Sequence, residues 1–195
     1  MAGAGSFMLE SLWRPDREGG RRGATANWSR SRMTVINNLP AHALFVHFVV
    51  ALAPLTAVLE IVCAVWPAAR RGHLVWLTLI LAAITMVLTP ITIHAGEWLY
   101  DLRKNPDPIL REHADRGDTM LYFSIALLVV AIVLAVLQVA ERRGAKPHAI
   151  VTAAVAVLAV VVGAASVVQI YRIGDAGSQS VWGNEIAHLK KANGS

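Results

Sequence analysis

Charge is scarce in this sequence, and its scarcity is uneven. Only 16% of the 195 residues are Asp, Glu, Lys or Arg, against about 25% in an ordinary soluble domain. Within four long stretches the charge all but vanishes: Phe48–Trp66, Leu74–Ile93, Met120–Ala140 and Ala149–Ile170 hold one formally charged residue between them, Glu60. Cysteine is almost absent too. Cys63 is the single one, which excludes an intrachain disulfide and any cysteine-built zinc site. Lying inside an apolar stretch, it reads as a small buried hydrophobe. The chain also lacks a glycine-rich phosphate loop, a nucleophile elbow and a zinc-protease motif, so none of those chemistries has its usual footing. Nor do residues 1–33, "MAGAGSFMLESLWRPDREGGRRGATANWSRSRM", contain the continuous apolar run that a secretory signal requires.

What is abundant is apolar surface. Hydrophobic residues make up 55% of the chain and the mean hydropathy is +0.51. Each of the four uncharged stretches is close to the ~20 residues that a helix needs to cross ~30 Å of hydrocarbon. A helix satisfies its own backbone hydrogen bonds in lipid, whereas barrel strands would be shorter and would alternate. The sequence therefore predicts an all-α membrane protein with a four-transmembrane-helix bundle. A net charge of +5 would suit nucleic acid, but the Lys and Arg residues lie in the tail and beside helix ends. There they act as interfacial anchors and topology signals, and the expected partner is the lipid bilayer.

Punctuation divides the chain. Residues 1–33 form a basic tail rich in Gly, Ser and Arg, expected to be disordered; Met33 is an alternative start. A four-helix domain spans 34–175, and 176–195 is a polar C-terminal tail. Pro40 suits the first position of helix one, because its missing N–H costs nothing there. Pro54 and Pro90 fall inside spans, where each removes a backbone bond and predicts a kink. Asp107 followed by Pro108 has the form of a cap and first turn, and Asp115 and Asp118 are further cap candidates for helix three. Short links, "PAARRGH" and "ERRGAKPH", make two antiparallel hairpins, with both termini on the side of the longer link, "RKNPDPILREHADRGD". The hairpins resemble each other. His42-Ala43 precedes the first and His113-Ala114 the second, while His94-Ala95-Gly96 aligns with Asp175-Ala176-Gly177. A duplication would relate the halves by an axis along the membrane normal.

This topology sorts polar residues by face. His42, His47, His94, His113 and Asp175 gather at one rim; Arg70, Arg71, His73, Arg142, Arg143 and Lys146 gather at the other. His94, Glu97 and Asp101 are spaced by three and four residues, which stacks them on one helical stripe. Imidazole and carboxylate in that arrangement can hold a metal. The candidate metal ligands are thus His42, His47, His94, Glu97, Asp101, His113 and Asp175, and the candidate cofactor ligands are His47, His94 and His113. Five residues turn a helix by roughly 140°, so His42 and His47 cannot both face one ion unless the first turn is irregular; the expectation is His47 toward the bundle and His42 at the rim. Neutral imidazole suits haem iron, copper or zinc alike. Glu60 is the other anomaly, a carboxylate inside a span and by default a functional hypothesis; Gln138 or Arg70 is the expected partner. Gly163, Ala164, Ala165 and Ser166 give helix four a small-residue surface for close packing.

The segment "LPAHALFVHFVV" resembles a Leu-Pro-x-His-Pro-x-x-Val-His-Phe-Pro motif, keeping Leu39, Pro40, His42, Val46, His47 and Phe48 and replacing two prolines with Ala43 and Val49. That motif belongs to the bacterial integral-membrane domain of unknown function 2231 family. "HAGEWLY" is similar to a second family segment, His-x-Gly-Gly-x-x-Val-Tyr, in Gly96 and Tyr100, and departs from it at Glu97; "HADRGD" is similar to a His-Ala-x-x-Gly segment. The resemblance covers roughly residues 36 to 183. It implies a four-helix, multi-pass protein of the bacterial inner membrane and lends no established activity, though histidines at such positions make haem b or a transition metal a natural suggestion. Two readings stand. One is a redox or electron-carrying subunit that binds haem or metal at the histidine rim. The other is a non-catalytic module packing in a larger membrane complex or homo-oligomer. No enzymatic reaction is assigned.

Overall fold

The structure is a computed structural model that describes residues 35, 36 and 39–192. The basic tail expected over residues 1–33 lies outside the described residues. Four long helices dominate: α1, Ala41–Val65; α2, Leu74–Asp101; α3, Pro108–Arg142; and α4, Ala149–Ala192. A single turn, Pro67–Arg71, links α1 to α2, and two antiparallel two-residue strands, Val35–Ile36 and Leu39–Pro40, precede α1. All four helices are long and apolar enough to cross a membrane. The polar segment after Asp175 does not leave the helix; α4 continues for 44 residues in all.

Local signals explain most boundaries. The carboxylate of Asp107 caps α3 by accepting from the Ile109 amide at 3.0 Å, with Pro108 in the first turn. Asp115 and Asp118, expected as caps, instead lie within α3, because the helix begins at Pro108 rather than at its apolar block. Helices α1 and α2 continue through Pro54 and Pro90. The polar side chains within the spans are mostly satisfied by their own helix. Thr78, Thr85, Thr89, Thr92 and Ser166 each donate to the carbonyl four residues back at 2.8 Å, as hydrocarbon demands.

The bundle is cyclic. Each hairpin packs internally, α2 packs on α3, α4 packs on α1, and α1 meets α3 across the centre. Each hairpin buries corresponding positions. On α1 these are Val49, Ala53, Thr56, Glu60, Cys63 and Ala64; on α3, in the same order, Met120, Ser124, Leu127, Ala131, Leu134 and Ala135. Likewise Thr78, Thr85, Thr89, Thr92 and Ala95 of α2 match Ala159, Ser166, Ile170, Ile173 and Ala176 of α4, all buried. Gly163 lets α4 approach α1 closely: a Cβ there would stand 3.1 Å from Ile61 Cδ1 and 3.3 Å from Ala57 Cβ. Without a hydrophobic drive between helices in lipid, such close packing carries much of the association.

At the turn end the bundle is fastened by a buried ion pair. Arg70, only 3% exposed, donates to Glu141 Oε1 from Nη2 at 2.8 Å and from Nε at 3.1 Å. Its Nη1 reaches the carbonyls of Ala64 at 3.1 Å and Cys63 at 3.4 Å. Gln138 donates to the Gly72 carbonyl at 2.6 Å. Both partners expected for Glu60 are therefore engaged elsewhere.

A candidate two-histidine site

His42 sits in the first turn of α1, and His113 lies within the second turn of α3. Both are half-buried, and each reaches sideways into its hairpin partner. The Nδ1 of His42 lies 2.9 Å from the Thr92 carbonyl of α2, and that of His113 lies 2.9 Å from the Ile173 carbonyl of α4. A carbonyl only accepts, so each ring donates from Nδ1–H, which fixes the tautomer and leaves the Nε2 lone pair free in the neutral ring.

Two glycines make this seating possible. A Cβ on Gly96 would fall 2.9 Å from His42 Nδ1 and 3.0 Å from its Cε1; one on Gly177 would fall 3.0 Å from His113 Cε1 and 3.1 Å from its Nδ1. In both hairpins the glycine follows the accepting carbonyl by four residues, one turn along the same face. The two devices are copies of each other. Across the centre of the bundle the rings themselves meet, centroids 6.4 Å apart and planes at 87°.

The other candidate residues are not drawn in. His47, expected to face the bundle, is exposed, and its Nδ1 turns back to the Ala43 carbonyl of its own helix; His42, expected at the rim, takes the inner position. The reason is phase. The buried stripe of α1 runs through Val49, Ala53, Thr56, Glu60 and Cys63, and stepping back from Val49 by seven residues reaches His42, whereas His47 is turned well away. His94 is 82% exposed and pairs with Glu97, its Nδ1 3.4 Å from Oε2. Asp101 is exposed, and the exposed Asp175 accepts from Gln179 at 2.9 Å. Among the described residues no group of three or more His, Cys, Asp or Glu side chains is placed to hold a metal ion. Of the seven expected ligands, only His42 and His113 have their rings brought against each other across the bundle.

That pair is carried by the segments whose motifs were singled out in the sequence: His42 in "LPAHALFVHF", Gly96 in "HAGEW", and His113 in "HADRGD". A family model described as "Predicted membrane protein (DUF2231)" matches residues 38–190. The chain belongs to the DUF2231 family. No curated protein and no solved structure matches it. As a DUF2231 member it is a predicted membrane protein of unknown function, and its four apolar helices agree with that description. The matched region takes in all four spans and both histidine–glycine contacts, so the site belongs to the DUF2231 domain itself.

Proposed function

We propose that this DUF2231 protein holds a transition-metal centre, a bare ion or haem iron, between His42 and His113 at one rim of its bundle. It would act as an electron-carrying subunit in a bacterial inner membrane. One observation carries the reading: two imidazoles from facing helices, each with Nδ1–H committed to a carbonyl of its hairpin partner. Metal-ligating histidines almost always donate the second ring nitrogen to a carbonyl or carboxylate in this way, which orients the ring and raises its basicity. Two imidazoles bound to one metal at roughly 2.0–2.1 Å each have ring centres roughly 5–6.5 Å apart, depending on the angle at the metal. The observed 6.4 Å suits the wide end of that range. A pair without a third protein ligand fits haem iron, whose remaining positions belong to the macrocycle. It also fits a bare ion that completes its shell from water or a partner. Copper, iron and zinc all accept imidazole, and the first two would supply one-electron chemistry.

The test uses full-length protein purified from cells supplied with iron, copper and a haem precursor. A Soret band identifies haem iron; stoichiometric metal without one identifies a bare ion. Either signal should be lost in His42→Ala and in His113→Ala, and kept in His47→Ala and His94→Ala. Colourless, metal-free wild-type protein overturns the proposal and favours a non-catalytic module packing in a larger membrane complex.

A further inference from the structure

The half of the bundle away from the histidines contains a carboxyl group with nothing to bind. Glu60 is completely buried on the inward stripe of α1, and neither carboxyl oxygen has a hydrogen-bond partner among the described residues. One turn earlier on the same face, Thr56 is also completely buried with its hydroxyl unpartnered. That is an exception: the buried Thr78, Thr85, Thr89, Thr92, Ser124 and Ser166 all donate to carbonyls of their own helices. The corresponding position on α3 is Ala131, so the second hairpin does not repeat the carboxyl.

Most charged groups of this half stand at the turn rim, where Arg71, Arg142, Arg143 and Lys146 are exposed. On α1 there is Cys63, whose Sγ lies 3.9 Å from the Thr78 hydroxyl. Arg70 is bound to Glu141 of α3. His73 before α2 and His148 before α4 are exposed beyond the spans. No described cation is ion-paired to Glu60; the nearest buried one, Arg70, lies in the turn beyond the end of α1 and is already shared by Glu141 and two carbonyls.

At the turn rim an open cleft lies between α1, α4 and the link from α3 to α4. It has a volume of about 730 Å³, and its lining includes Arg70, Glu141, Lys146, Thr152 and Ala156, with Ala64 as the α1 residue that reaches furthest into the span. Ala64 is one helical turn from Glu60, a rise of roughly 6 Å. Glu141, in the wall, keeps Oε2 without a hydrogen bond, though Arg71 stands 3.7 Å from it. A buried carboxyl, an unpartnered hydroxyl one turn from it on the same face and an open cleft whose lining includes Ala64, one turn from it on the other side, make a coherent set. Ionisable groups inside spans mark proton or ion pathways.

We propose that Glu60 is a proton-exchange site within the bilayer, loaded from the turn rim through the cleft bounded by Ala64, Arg70 and Glu141. The site binds and releases a proton at a carboxyl oxygen, with the unpartnered Thr56 hydroxyl one turn away on the same face. This rests on observations independent of the histidine pair and stands whether or not a metal binds there.

The test is modification of full-length protein in phosphatidylcholine vesicles by dicyclohexylcarbodiimide, which adds to protonated carboxyls in apolar surroundings. Peptide mass spectrometry locates the adduct across a pH series. The expected result is an adduct on Glu60 that falls at least tenfold from the acid to the alkaline end and is unchanged by sodium or potassium. It should be absent in Glu60→Gln and slowed severalfold in Ala156→Phe, which obstructs the cleft. No adduct on Glu60 at any pH overturns the proposal, provided exposed Glu97 reacts with a water-soluble carbodiimide in the same preparation. So does an adduct independent of pH. Suppression by sodium or potassium also overturns it, marking a metal-cation site instead.

Discussion

A methyl group on Gly96 is the most economical way to disturb the histidine pair. It would stand 2.9 Å from His42 Nδ1 and 3.0 Å from Cε1, whereas uncrowded carbon contacts lie near 3.5–4.0 Å. The ring must retreat by roughly half an ångström or more, and its retreat strains the 2.9 Å bond from Nδ1 to the Thr92 carbonyl. Overpacking of this kind costs about 1–3 kcal/mol, and losing the hydrogen bond adds about 0.5–1.5 kcal/mol. Gly96→Ala should therefore destabilise the bundle by about 1.5–4.5 kcal/mol. Gly177→Ala, whose Cβ would meet His113 at 3.0 Å, should do the same. The controls are Gly117→Ala and Gly174→Ala, in α3 and α4, where a Cβ meets no atom within 4 Å. In these, alanine should be neutral or stabilising by up to about 1 kcal/mol. Reversible unfolding in matched micelles measures all four variants. Equal stability of Gly177→Ala and Gly174→Ala, three residues apart on one helix, would refute the claim that the glycine seats the ring.

Three further outcomes follow from the packing. Arg70→Ala leaves Glu141 buried without its main counterion and should cost about 3–5 kcal/mol; unchanged unfolding would contradict the fastening role given to the pair. Gly163→Leu should weaken the α1–α4 contact by about 1–3 kcal/mol, since Ile61 and Ala57 already fill the space before its Cβ; crosslinking yield between the two helices reads the separation. Asp107→Ala removes the α3 cap bond to the Ile109 amide and should cost about 1 kcal/mol, seen as faster amide exchange over residues 109–111.

The bundle was legible because four stretches are uniformly apolar, and length alone then decides between spanning and not spanning. The same uniformity hid the inward faces. Within α1 nearly every residue is hydrophobic, so no amphipathic pattern announces the stripe, and the apolar boundary suggested His47 as the residue at the entrance. A usable signal was nonetheless present. Thr56 and Cys63 lie two and three heptads beyond His42, and the same steps from His113 reach Leu127 and Leu134, all four landing points buried. The repeat of His-Ala and Ala-Gly dipeptides already paired His42 with His113. What it could not convey is that the glycines exist to admit the rings, because that depends on how closely the hairpin helices approach. Glu60 was expected to find a partner in Gln138 or Arg70. Those residues lie beyond it toward the turn and are claimed by Gly72 and Glu141.

The most direct test of the histidine pair is X-ray absorption at the edge of whichever metal elemental analysis finds in the purified protein, read for its imidazole count. Wild-type protein should show two imidazoles per centre, and His113→Ala one imidazole or an empty site. A centre with no imidazole, or one that keeps both in the variant, would contradict the account.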